Sequence, residues 1–103
     1  MIRHTILFKT KPSATKQTLE QAFAHFIALK NKLPGIVNFV GGECDFHERS
    51  VNKAFTHVFF IDFENESALD TFFHDPVTHP AKDEIVNLAE GGYDGLIGFN
   101  LKT

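Results

Sequence analysis

Between Phe55 and Phe63 the odd positions read Phe, His, Phe, Ile, Phe, while Thr56, Val58, Phe60 and Asp62 form a mixed second row. This period-two alternation predicts a strand. A second face that is itself half apolar predicts a central place in a sheet covered on both sides. Ile2–Phe8 repeats the pattern, with Ile2, His4, Ile6 and Phe8 in one row, and the polar run Lys9–Ser13 ends it. From about Thr15 the period changes. Leu19, Ala22, Phe23, Phe26, Ile27 and Leu33 follow helical spacing and predict an amphipathic helix, capped by Ser13 or Thr15 and stopped by Pro34-Gly35. Ile36–Val40 predicts a second strand with a bulge or kink at Gly41-Gly42, and the polar stretch from Glu43 to Asn52 a connecting loop. After the Phe55–Phe63 strand, a short helix starts at Asn65 or Glu66 and carries Ala68, Leu69, Phe72 and Phe73. His74-Asp75-Pro76 breaks it. Pro80 opens another helix with Ile85, Val86, Leu88 and Ala89 buried, Gly91-Gly92 closes it, and Tyr93, Gly95, Ile97, Phe99 and Leu101 alternate as a last strand.

The order β-α-β-β-α(α)-β predicts an α+β, ferredoxin-like subunit: one domain over residues 1–103, with a four-stranded antiparallel sheet and helices on one face. The first and third strands then lie side by side in the middle. The opposite face would carry Leu7, Val58, Phe60 and Leu96, an apolar patch that a soluble monomer rarely exposes. Two such faces packed across a two-fold axis would make a homodimer.

Composition narrows the function classes. A net charge of −3 argues against a general polyanion binder. The segment Lys53–Phe60 loosely matches an RNA-recognition octamer, but Phe55 and His57 share a row with Phe59, Ile61 and Phe63 that belongs under the helices, so no nucleic-acid partner is expected. The single Cys44 excludes an intrachain disulfide and a multi-cysteine metal site. No leader and no apolar run of membrane-spanning length is present, so the expectation is a cytoplasmic protein without a membrane partner. The 12 Phe, with one Tyr and no Trp, suit a dry core or a pocket for an apolar ligand.

His57, flanked by Phe55 and Phe59, is either a neutral buried histidine or an acid/base group displaced by apolar surroundings. His4 is the second inward strand histidine, and His79, beside Pro80, is a third acid/base candidate. These three are the expected catalytic residues. Phe23, Phe26, Phe59, Phe72 and Phe73 are the expected substrate-binding rings, with plain core packing as the alternative. His25 and His74 look solvent-facing, and His47 sits in the polar loop. No histidine pair has the spacing of a metal-binding helix, so no metal or other cofactor is expected.

Met1–Lys9, Lys32–Ile36, Phe55-Thr56-His57 with Phe63-Glu64, and Asp75-Pro76 together resemble the stress-responsive dimeric α/β-barrel (Dabb) domain family. The resemblance runs from Ile2 to about Phe99. It implies a homodimeric barrel of two four-stranded sheets. Cyclase-like members, among them plant polyketide cyclases, bind an alkyl polyketide between sheet and helices and close a ring without cofactor. By resemblance, His4 and His57 fall on the family's inward strand histidines. Phe72 stands where those members carry a tyrosine, and Thr78 where they carry a histidine, with His79 one position later. Some members hold a cation on backbone carbonyls, here near Leu33 and Ile36. Two functions follow as expectations. One is a cofactor-independent enzyme (cyclase-, isomerase- or lyase-like) moving protons on a small apolar or aromatic carbonyl compound. The other is a non-catalytic homodimer that binds a small hydrophobic molecule or serves a structural stress role.

Overall fold

The computed structural model describes residues 1–45 and 54–103. Its elements run β1 (Ile2–Phe8), α1 (Lys16–Ile27), β2 (Ile36–Glu43), β3 (His57–Phe63), α2 (Glu66–His74), α3 (His79–Leu88) and β4 (Ile97–Lys102). Short 3-10 turns follow α1 and α2 and precede β4. The expected loop from Glu43 to Asn52, His47 included, falls mostly outside the described residues.

The caps are local chemistry. Thr15 accepts the Thr18 amide while the Thr18 hydroxyl accepts the Thr15 amide, a reciprocal box that satisfies two otherwise orphaned donors. Asn65 accepts the Ala68 amide at 2.9 Å and so starts α2. Pro80 sits in the first turn of α3.

The sheet order is β2-β3-β1-β4, antiparallel throughout, with the first and third strands in the middle as expected. In that register Ile2, His4, Ile6 and Phe8 share the helix face with His57, Phe59, Ile61 and Phe63. The core joins strand residues Phe8, Phe39, Phe59, Ile61 and Phe63 to Ala22, Phe26, Leu69, Phe72 and Ile85 of the helices.

Three expectations are corrected. The sheet irregularity falls at Val37, between Ile36 and Asn38, whereas Gly41 and Gly42 pair regularly with Phe59 and Val58. Gly41 matters for packing instead. An added Cβ would come within 2.1 Å of Phe59 Cδ1, so the missing side chain seats that ring. The β3 strand begins at His57, not Phe55, although the Thr56 amide still donates to the Phe8 carbonyl. Leu96 packs against the core instead of lying on the open face, because a 3-10 turn over Gly92–Gly95 delays β4. The open face is carried by Ile97, Phe99 and Leu101, paired with Leu7, Thr5 and Arg3. Val40, Ile97, Phe99 and Leu101 are all exposed there.

Candidate functional site

On the helix side of β4 the sequence places Gly98 and Asn100, opposite Ile6 and His4 of β1. Neither is a large apolar side chain. Where β2 and β3 send phenyl rings up to meet α1, β4 sends almost nothing up to meet α3. A cavity of about 550 Å³ results. Its walls are His4 and Ile6 of β1, Phe26 of α1, Phe72 and Phe73 of α2, His79, Lys82, Asp83, Ile85 and Val86 of α3, and Tyr93, Leu96, Gly98, Phe99 and Asn100.

His4 is buried, with its ring edge-on to Phe73 at 5.1 Å between centroids. Its Nδ1 lies 2.7 Å from Asn100 Oδ1. An amide oxygen only accepts, so this assignment puts the imidazole hydrogen on Nδ1 and leaves Nε2 a lone pair. Burial pushes the His4 pKa below the usual imidazole value; the Asn100 bond and a weaker backbone hydrogen bond to Phe99 oppose that shift, and the nearby Lys82 charge adds to it. A Cβ on Gly98 would stand 3.5 Å from His4 Cε1 and 3.9 Å from Nε2. Glycine there keeps the space beside the ring open.

His79 lies at the start of α3 and lines the same cavity. Thr78, which resemblance aligned with the family's histidine, is fully buried, and its hydroxyl donates to the Asp75 carbonyl at 2.8 Å. The one-residue offset therefore puts the histidine in the cavity and the threonine in the core.

His57 stands elsewhere. It pairs with Phe8, four positions along β1 from His4, or about 14 Å of strand. Phe8 stacks on it at 5.5 Å and Phe23 meets it edge-on at 5.3 Å. Its Nδ1 bonds to Thr56 Oγ1 at 2.8 Å, and it does not line the cavity. Burial pushes its pKa down, opposed by the charge of Glu43 across the strand pair. Of the five expected binding rings, Phe26, Phe72 and Phe73 line the cavity, whereas Phe23 and Phe59 pack against His57 and Phe8 outside it. His25 pairs with Glu84 at 2.8 Å and His74 with the Asp70 carbonyl at 2.9 Å, both exposed. Burial and Glu43 raise the Cys44 thiol pKa, the wrong direction for a nucleophile. Among the described residues no three His, Cys, Asp or Glu side chains gather closely enough to hold a metal ion.

Sequence reasoning missed Lys82, Tyr93, Gly98 and Asn100. The spacing His79, Lys82, Asp83, Val86 is itself a helical stripe and signals a shared face of α3. Asn100 is visible only once the β1–β4 register sets it opposite His4.

Known structures share this architecture. The Arabidopsis thaliana protein At3g17210 is 17% identical, with a TM-score of 0.87 over 100% of this chain and 95% of its own. A dimeric ferredoxin-like protein of unknown function from Jannaschia sp. CCS1 is 23% identical, with a TM-score of 0.84 over 99% and 98%. The hydroxynitrile lyase of Passiflora edulis is 19% identical, with a TM-score of 0.85 over 97% and 90%. At such identities the likeness establishes the fold alone. No curated protein matches the chain significantly. No helix among the described residues is long and apolar enough to cross a membrane. The model of the stress responsive A/B barrel domain matches residues 2–92, and the chain belongs to that family.

Proposed function

We propose that this protein is a homodimeric, cofactor-independent enzyme that moves protons on a small apolar or aromatic carbonyl compound held in the cavity. One observation carries the reading: two histidines and a half-buried lysine share an aromatic-walled cavity of about 550 Å³. That volume lies within the range of small-molecule sites. A similar fold serving a hydroxynitrile lyase supports an enzymatic reading. The Jannaschia protein is dimeric, which supports a dimer, and the exposed apolar row Val40, Ile97, Phe99 and Leu101 is the face proposed for it.

In the proposed step, His4 Nε2 takes a proton from the carbon next to the substrate carbonyl. The C–H bonding pair becomes the enolate, its charge resting on the carbonyl oxygen, and His79 donates to that oxygen. Return of the proton at carbon, or attack of the enolate on a second carbonyl with the proton held by His4 passing to the alkoxide so formed, completes the cycle with electrons balanced and no cofactor. Low basicity from burial keeps His4 neutral and ready to accept near pH 7. His57, sealed by Phe8 and Phe23, is assigned to the core and not to the proton path.

The test is deuterium wash-in beside the carbonyl of small aryl and alkyl ketones, followed by proton NMR. The native protein should accelerate it, and His4→Gln and His79→Gln should each abolish most of the acceleration, by roughly 10²-fold or more. Acceleration that survives both substitutions refutes the assignment. Ketones that bind without any acceleration would favour the other reading, a non-catalytic carrier of small hydrophobic molecules.

A further inference from the structure

Lys82 is an unusual wall for an aromatic cavity. It is half-buried in α3, and its Nζ stands 4.3 Å above the centroid of Phe72 and 5.6 Å from that of Phe73. One of its three hydrogens goes to the Phe72 carbonyl at 2.5 Å, an acceptor left over in the last turn of α2. Among the described residues it makes no ion pair, while Arg3, His25 and Lys102 each have a carboxylate partner. The neighbouring Asp83 is exposed at the cavity rim and lies beyond ion-pair reach of Lys82. A partly desolvated cation without a counter-charge is costly, and ring faces compensate only part of that cost. Burial accordingly lowers the Lys82 pKa. Its field reaches across the cavity to His4.

We infer that the cavity ligand carries a carboxylate, with Lys82 Nζ as its counter-ion and Phe26, Phe72 and Phe73 around its apolar body. The inference rests on the reading that the cavity binds a small apolar molecule, and it sharpens the substrate class to amphipathic monoanions. A short aryl- or alkyl-carboxylate places its charge at Nζ, where two N–H donors remain, and extends its hydrocarbon along the rings. A charge-assisted hydrogen bond in such surroundings is worth about tenfold or more in affinity.

Calorimetric titration of 3-phenylpropionate and of its neutral isostere 3-phenylpropanamide tests this on the native protein. The carboxylate should bind at least about tenfold more tightly. Lys82→Met, which keeps length and apolar character, should erase that preference while the amide still binds, and Lys82→Arg should retain it. Equal binding of the two probes to the native protein overturns the inference and leaves the cavity reading standing. A preference that persists in Lys82→Met also overturns it. A lysine that serves only to cap α2 would lower the Tm of Lys82→Met without moving the selectivity. Failure of both probes to bind at millimolar concentration would remove the cavity reading and the inference with it.

Discussion

Gly41→Ala isolates the contact that seats the sheet under α1. The Cβ it adds would meet Phe59 Cδ1 at 2.1 Å and Cε1 at 2.4 Å, where ordinary contact begins near 3.4 Å. The ring would have to retreat by more than about 1 Å. It has nowhere to go: Phe23 and Phe26 meet it edge-on at 4.9 Å, Phe8 stacks at 6.0 Å, and Phe39 closes the remaining side at 6.2 Å. Overpacking of this kind costs about 1–3 kcal/mol, and the tight ring cluster argues for the upper end. Loss of glycine freedom in the unfolded chain returns about 0.4–1 kcal/mol. The net is about 2 kcal/mol, or about 8–16 °C in Tm for a domain of this size. Gly42→Ala is the control, since an added Cβ there meets nothing within 4 Å. Urea unfolding of both variants at matched protein concentration is the assay, because oligomerisation shifts apparent stability. If Gly41→Ala fell within about 0.5 kcal/mol of Gly42→Ala, the account of the Phe59 seat would be wrong.

Three further outcomes follow from the same geometry. His4 and His57 both have folded pKa values below their unfolded ones, so they resist the proton that the unfolded chain accepts; stability should fall as pH drops below about 6.5, and His57→Gln should flatten a denaturation series from pH 7.5 to 5.5. Gly98→Ala should fold normally, its methyl making ordinary contacts with His4, whereas Gly98→Leu should fill the space beside Nε2 and weaken 3-phenylpropionate binding by roughly tenfold or more with Tm nearly unchanged. Phe99→Asp places a charge in the exposed apolar row that the proposed dimer would bury, and the lost apolar burial, about 1.5–3 kcal/mol, should raise the dissociation constant of that proposed dimer by roughly tenfold or more in light scattering.

Much of the fold was legible because alternation fixes which residues share a face. Ile2, His4, Ile6 and Phe8 needed only period two, and the mixed second row of β3 already indicated its central place. Leu96 was misplaced because a 3-10 turn, entered through Gly91 and Gly92 at positive φ, delays β4 beyond the point where the sequence alternation begins. The candidate site was harder to read, for a physical reason. A cavity is made by what is missing, and Gly98 and Asn100 are the missing bulk on the helix face of β4. The rings that drew attention to His57 are the ones that pack it shut, with Phe8 and Phe23 both within 5.5 Å of its centroid. The aromatic rows marked the core; the small and polar residues opposite Ile6 and His4 marked the void.

The central claim, that the cavity between β4 and α3 is the binding site, is tested most directly by titrating acetophenone into nitrogen-15-labelled protein and mapping the amide shifts. Binding there moves the amides of Phe72, Phe73, Lys82, Gly98 and Asn100 together, on a single saturating curve. Shifts centred on His57 and Phe23 instead, or none at millimolar ligand, would contradict it.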